Sequence, residues 1–207
     1  MDFLSLGGSL FGGLEEKRQD ICEAAIEIFR EKNFNKTTVS EIASKAHVGK
    51  GTFYLYIDSK LKLLDFLLKY GTEKLIEYVK SSIDKSDNPV DKLEQSIDAQ
   101  LEFFDFYRDF FGFFVREMWA HREGLKEQVN KLKEDYIVIF EEIIEEGMKN
   151  GDFKEINGAT VSSGLFGMLS ISSLHWIIFA ENFPVDEVDS GLKEVFFNGI
   201  LEENSLK

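Results

Sequence analysis

Lys50, Gly51, Thr52, Tyr54 and Tyr56 fall within one seven-residue stretch, and together they offer the chemistry of a surface that meets a polyanion. An ammonium can reach a guanine edge, hydroxyls and backbone N–H groups bind phosphate, and a glycine lets the backbone itself come close. Thr38 and Lys60 add a hydroxyl and an ammonium on either side. Groups suited to catalysis are sparse by comparison. The chain has three histidines, His47, His121 and His175, and a single cysteine, Cys22, so neither an intrachain disulfide nor a cysteine metal cluster can form. No Ser/His/Asp or Cys/His arrangement is legible, and no glycine loop is placed to cradle a phosphate. Glu117 and His121 stand four apart and glutamates recur between 141 and 146. A carboxylate-bridged metal bundle is the enzyme alternative, but the paired Glu-x-x-His signature of such sites is missing. The expectation is a protein that is not an enzyme and needs no metal or cofactor.

The elements that must position these residues are short helices. In the run TTVSEIASKAHVGKGTFYLYIDSK, Thr38 and Glu41 have capping-box spacing, so a helix starts there. Ile42, Ala43 and Ala46 supply apolar and small residues where a second helix can cross closely, and Val48-Gly49 is read as the turn. The next helix spans 50–56, with Phe53 and Ile57 facing inward. Ser59 then caps a long helix that runs to about residue 82 through Leu63, Leu64, Leu67 and Leu68. Ahead of this run, residues 15–32 place Ile21, Ala24, Ala25, Ile28 and Phe29 on one helical stripe, and Phe34 is positioned to plug a three-helix core. A helix-turn-helix whose second helix leads with Lys, Gly, Thr and Tyr is suited to a DNA major groove.

This run resembles the DNA-binding segment of TetR-type transcriptional regulators. The shared positions are Thr38, Ile42, Ala43, Ala46, Val48, Gly51, Thr52, Phe53, Tyr54, Tyr56 and Lys60. Ile57 stands where an aromatic is usual, and Asp58 where a basic or neutral polar residue is common. The resemblance implies phosphate contacts from Thr38, Tyr54, Tyr56 and Lys60, and groove contacts from Lys50, Gly51 and Thr52. It also implies a homodimer on a palindromic double-stranded DNA operator, usually as a repressor.

The net charge of −14 argues against DNA only until it is divided along the chain. Residues 1–60 hold 8 Lys/Arg against 9 Asp/Glu, and the remainder holds 16 against 29. The acidity therefore belongs to the second part, where it discourages non-specific adhesion to nucleic acid. Two prolines, 43% hydrophobic and 30% charged residues, and no alternating β pattern predict a globular all-α fold. Residues 1–14 carry four glycines and no basic residue, and are read as a flexible leader, able to dock weakly through Phe3, Leu6 or Phe11, rather than a signal peptide. The expected organisation is that leader, a helix-turn-helix domain at 15–60, and an effector-binding and dimerisation domain at 61–207, in a cytoplasmic protein.

Nine aromatic residues crowd 103–119 on two consecutive helices, more than one face can bury. They suggest a cavity for a small apolar effector lined by Phe104, Tyr107, Arg108, Phe111, Phe114, Met118, Phe166 and Trp176. An apolar, elongated ligand such as a fatty acyl chain suits such a lining; the resemblance extends to regulators of fatty-acid metabolism, which bind acyl-CoA, and implies Arg108 or Arg116 meeting a carboxylate or phosphate, whereas Glu117 and Glu142 would instead favour a cationic drug. Residues 158–180 contain no charge, yet their serines, glycines and His175 argue against a membrane span. With the helix at about 186–203 they are expected to form a four-helix dimer contact.

Overall fold

The computed structural model describes residues 9–32, 34–83, 88–120, 122–179 and 184–201, with all side chains in them except those at 109, 114, 116, 118–120, 122–129, 131–133 and 177–179. Among the described residues the fold is all-helical. Its elements are α1 (Glu16–Glu31), a 3₁₀ turn (Phe34–Lys36), α2 (Val39–Lys45), α3 (Lys50–Tyr56), α4 (Lys60–Ile83), α5 (Pro89–Phe106), α6 (Arg108–Ala120), α7 (Arg122–Asn150), α8 (Gly158–Phe179) and α9 (Val185–Ile200). The chain divides into two compact units, Met1–Lys74 with Asp109–Val129 and Leu75–Arg108 with Asn130–Lys207.

In the first unit α1 buries the stripe Ile21, Cys22, Ala24, Ala25, Ile28 and Phe29. The unit is larger than a 15–60 domain because α6 supplies part of its core. Phe113 of α6 stacks on Phe29 with ring centroids 4.8 Å apart and planes 9° from parallel. Gly71 lets α6 approach α4, since a Cβ there would lie 2.4 Å from the Phe110 ring. The described end of the leader is docked through Phe11. Leu10 and Phe11 are buried, Phe11 stacks on Tyr70 at 5.9 Å and meets Phe110 edge-on at 6.1 Å, and the Tyr70 hydroxyl donates to the Gly12 carbonyl at 3.2 Å. Large apolar rings in a glycine-rich stretch carry no helical period, but burying them is still favourable.

The second unit packs α5, α7, α8 and α9 with the end of α4. Pro89 sits in the first turn of α5 behind the Asn88 cap, where its missing N–H costs nothing. Leu93, Ile97 and Leu101 of α5, Ile139, Phe140 and Ile144 of α7, Leu165 and Leu169 of α8, and Phe196 and Ile200 of α9 form the core. Lys92 of α5 pairs with Glu146 of α7 at 2.7 Å, and Lys193 of α9 pairs with Asp98 of α5 and, at 3.0 Å, with Asp189. Among the described residues no helix is long and apolar enough to cross a membrane.

Candidate functional site

The helix-turn-helix begins with the anticipated cap. Thr38 Oγ1 accepts from the Glu41 N–H at 3.3 Å, and the Thr38 N–H donates to Glu41 Oε2 at 2.8 Å. Lys32 donates to the same carboxylate. The Lys32 hydrogen bond first, and the Thr38 N–H second, hold the Glu41 carboxyl down at about 2. The turn differs from the Val48-Gly49 expectation. The left-handed residue is His47, with φ 53°, and α2 closes with Val48 N–H donating to Ala43 O at 2.9 Å and His47 N–H to Ser44 O at 3.2 Å. Gly49 is extended and serves as the N-cap of α3.

Phe53 and Ile57 pin α3 to the core, which turns the opposite surface of the helix outward. Lys50, Gly51, Tyr54 and Leu55 are exposed there and Thr52 is half-buried. Lys50 makes no ion pair among the described residues. A Cβ on Gly51 would meet nothing within 4 Å. The fold has no steric need for this glycine, although glycine weakens a helix. Leu55, 84% exposed, was not foreseen; it lies four residues from Gly51 on the same outward face.

The other three anticipated contacts are bonded within the protein. Thr38 is held in the capping box. The Tyr56 hydroxyl donates to Glu15 Oε1 at 2.5 Å. Lys60 Nζ donates to the carbonyls of Phe34 and Thr37, both at 2.6 Å, and lies 4.3 Å from the centre of the Phe34 ring. Burial lowers the Lys60 pKa, with Glu117 and Glu41 opposing that shift. Glu117, buried on α6, accepts from the Phe34 N–H at 3.3 Å. Lys60 and Glu117 thus fix the link between α1 and α2 from two sides. On the α1 side, an open cleft is lined by Asp20, Glu23 and Glu27, with Lys45 paired to Glu27. This acidic wall leaves the outer face of α3 as the surface suited to phosphate.

The anticipated effector residues are divided between the units. Phe104, Tyr107, Arg108, Phe166 and Trp176 belong to the second and Phe111, Phe114 and Met118 to the first. The side chains of Phe114, Met118 and Arg116, and residue His121, lie outside the described residues. Phe104 and Phe111 are buried. Tyr107 caps α5 and packs on Phe103 at 4.7 Å. Phe166 meets Tyr136 edge-on at 5.8 Å. Trp176 lines an outer groove with Ile171, Val188 and Gly191 between α8 and α9. Glu117 is engaged as described and Glu142 is exposed. Among the described residues no group of three or more His, Cys, Asp or Glu could hold a metal ion.

A capped helix-turn-helix with a bare, cationic and hydroxyl-bearing outer helix, followed by a helical second unit, defines a DNA-binding regulator. Residues 21–66 match the bacterial regulatory proteins of the tetR family, and residues 86–177 match the tetracyclin repressor-like C-terminal domain. The chain belongs to the TetR family of transcriptional regulators, a family of regulators and not of enzymes. It is 24% identical over 185 residues to the fatty acid metabolism regulator protein of Bacillus subtilis, a match that covers 89% of this chain and 95% of that one. It superposes with TM-score 0.75 on a Clostridium perfringens protein provisionally named a fatty acid metabolism regulator, at 30% identity over 89% of this chain and 100% of that one. It also superposes with TM-score 0.74 on the regulator FadR of Bacillus subtilis in complex with stearoyl-CoA, at 22% identity over 87% and 97% of the two chains.

Proposed function

We propose that this regulator is a dimeric repressor that releases its operator when a long-chain acyl-CoA binds the second unit. The observation that carries the reading is the length of the likeness. It runs over 89% of this chain and 95% of the Bacillus fatty acid metabolism regulator, well beyond the helix-turn-helix segment. The aromatic side chains of α5, α7 and α8, with the carboxylates Glu117 and Glu142 engaged elsewhere or exposed, support an apolar ligand over a cationic one.

Dimerisation is supported by α8 and α9. Ile171 and Val195 are 65% and 67% exposed, and added Cβ atoms on Gly164, Gly167 and Gly191 would meet nothing within the protomer. Small and apolar residues that one copy leaves bare suit a close helix-to-helix contact with a second. Two α3 helices would then enter successive major grooves about 34 to 36 Å apart. Helix α4 leaves the helix-turn-helix at Lys60 and continues unbroken to Ile83, so a ligand-dependent tilt of α4 would change that separation. DNA affinity would fall by as much as the ligand prefers the tilted state.

The test is an anisotropy titration on promoter fragments from the protein's own genomic neighbourhood, with and without stearoyl-CoA, alongside sedimentation equilibrium. The reading expects a dimer, specific binding that Lys50→Ala weakens, and release by the acyl-CoA at low micromolar concentration but not by free CoA. A monomer, or binding unaffected by any acyl-CoA, overturns it.

A further inference from the structure

Gln100 of α5 is fully buried in the second unit, and so is its neighbour Tyr136 of α7. The Tyr136 hydroxyl donates to Gln100 Oε1 at 2.6 Å, which orients the amide, and burial raises the Tyr136 pKa so that the hydroxyl stays a donor. Gln100 Nε2 has no hydrogen-bond partner among the described residues. Turning the amide over moves the deficit to its oxygen without removing it. Native proteins rarely leave a buried amide group unpaired, because desolvation is then uncompensated.

The surroundings define the missing partner. Ile97 and Leu101 flank Gln100 on α5 and Phe104 follows one turn later, all buried. Phe140 and Phe166 meet the Tyr136 ring edge-on at 5.1 and 5.8 Å. The nearby Ser96 hydroxyl is spent on the Lys92 carbonyl at 2.7 Å. An uncharged amide donor flanked by aliphatic and aromatic residues suits a neutral acceptor at the head of an apolar chain, and a bare carboxylate would go uncompensated there. In an acyl-CoA the thioester carbonyl is the neutral acceptor at the head of the hydrocarbon chain.

We infer that Gln100 Nε2 donates to the thioester carbonyl of the bound effector, with Tyr136 as the positioning residue that presents the amide. The inference rests on the acyl-CoA reading above. Calorimetric titration of the full chain with stearoyl-CoA and with S-octadecyl-CoA, the thioether that lacks the carbonyl oxygen, tests it. Wild type should bind the thioester on the order of tenfold more tightly. Tyr136→Phe should shrink that preference, and the double variant Gln100→Leu with Tyr136→Phe should abolish it while melting no lower than wild type without ligand. Equal affinity of wild type for the two compounds overturns the inference and leaves the acyl-CoA reading standing, and so does a double variant that keeps the preference. Wild type that binds neither compound overturns both.

Discussion

Gly51→Ala separates what the fold needs at the tip of α3 from what DNA needs there. The added methyl meets no atom within 4 Å, so it carries no steric cost in the free protein. Replacing a helical glycine by alanine stabilises by about 0.5–1 kcal/mol. Because Gly51 lies in the first turn of a seven-residue helix, the lower figure applies. For a chain of this size that is a melting point higher by about 1–2 °C. On DNA the same methyl stands on the outward surface between Lys50 and Leu55 and holds the helix back from the groove. A loss on the order of 1.4 kcal/mol per recognition helix, tenfold each, compounds to about a hundredfold for a two-headed dimer. Thermal melting without DNA and an anisotropy titration at fixed salt measure the two effects. A more stable variant with undiminished DNA affinity would refute the placement of α3 in the groove. A less stable one would refute the open space around Gly51.

Further outcomes follow from the same geometry. His47→Gly places glycine at the left-handed position and should stabilise the protein by about 1 kcal/mol; a calorimetric melting point that falls instead would show that the imidazole is needed in the turn. The Glu41 carboxyl lies below its unfolded value, so its contribution is present above the ordinary carboxylate range and is lost as pH falls toward about 2. The urea midpoint of Glu41→Gln, followed from pH 6 to pH 2, should lack that part of the acid loss, and parallel curves for the two proteins would contradict the assignment. Burial pushes the Cys22 thiol up to about 12, and the side chain is fully buried. An alkylating reagent at pH 8 should leave it untouched until the protein unfolds, whereas mass-spectrometric labelling within minutes in the folded state would show that α1 opens.

The primary sequence by itself determined the local elements. The Thr38 and Glu41 cap and the span Lys50–Tyr56 were legible, because hydrogen bonds and periodicities within a few residues set them. That Lys50, Gly51, Thr52 and Tyr54 share one short helix was legible for the same reason. Only the tertiary structure decided that Lys60 and Tyr56 are bonded internally, that Glu117 braces the Phe34 backbone and that Gln100 faces Tyr136. These partners lie 26, 41, 83 and 36 residues apart in the chain. No spacing rule spans such distances, because they are set by which helices pack together and by the cost of leaving a buried polar group unpaired. The docking of Phe11 against Tyr70 and Phe110 belongs with them. An aromatic ring in a glycine-rich stretch has no period of its own, and where it settles depends on the apolar surface that the rest of the fold leaves to cover.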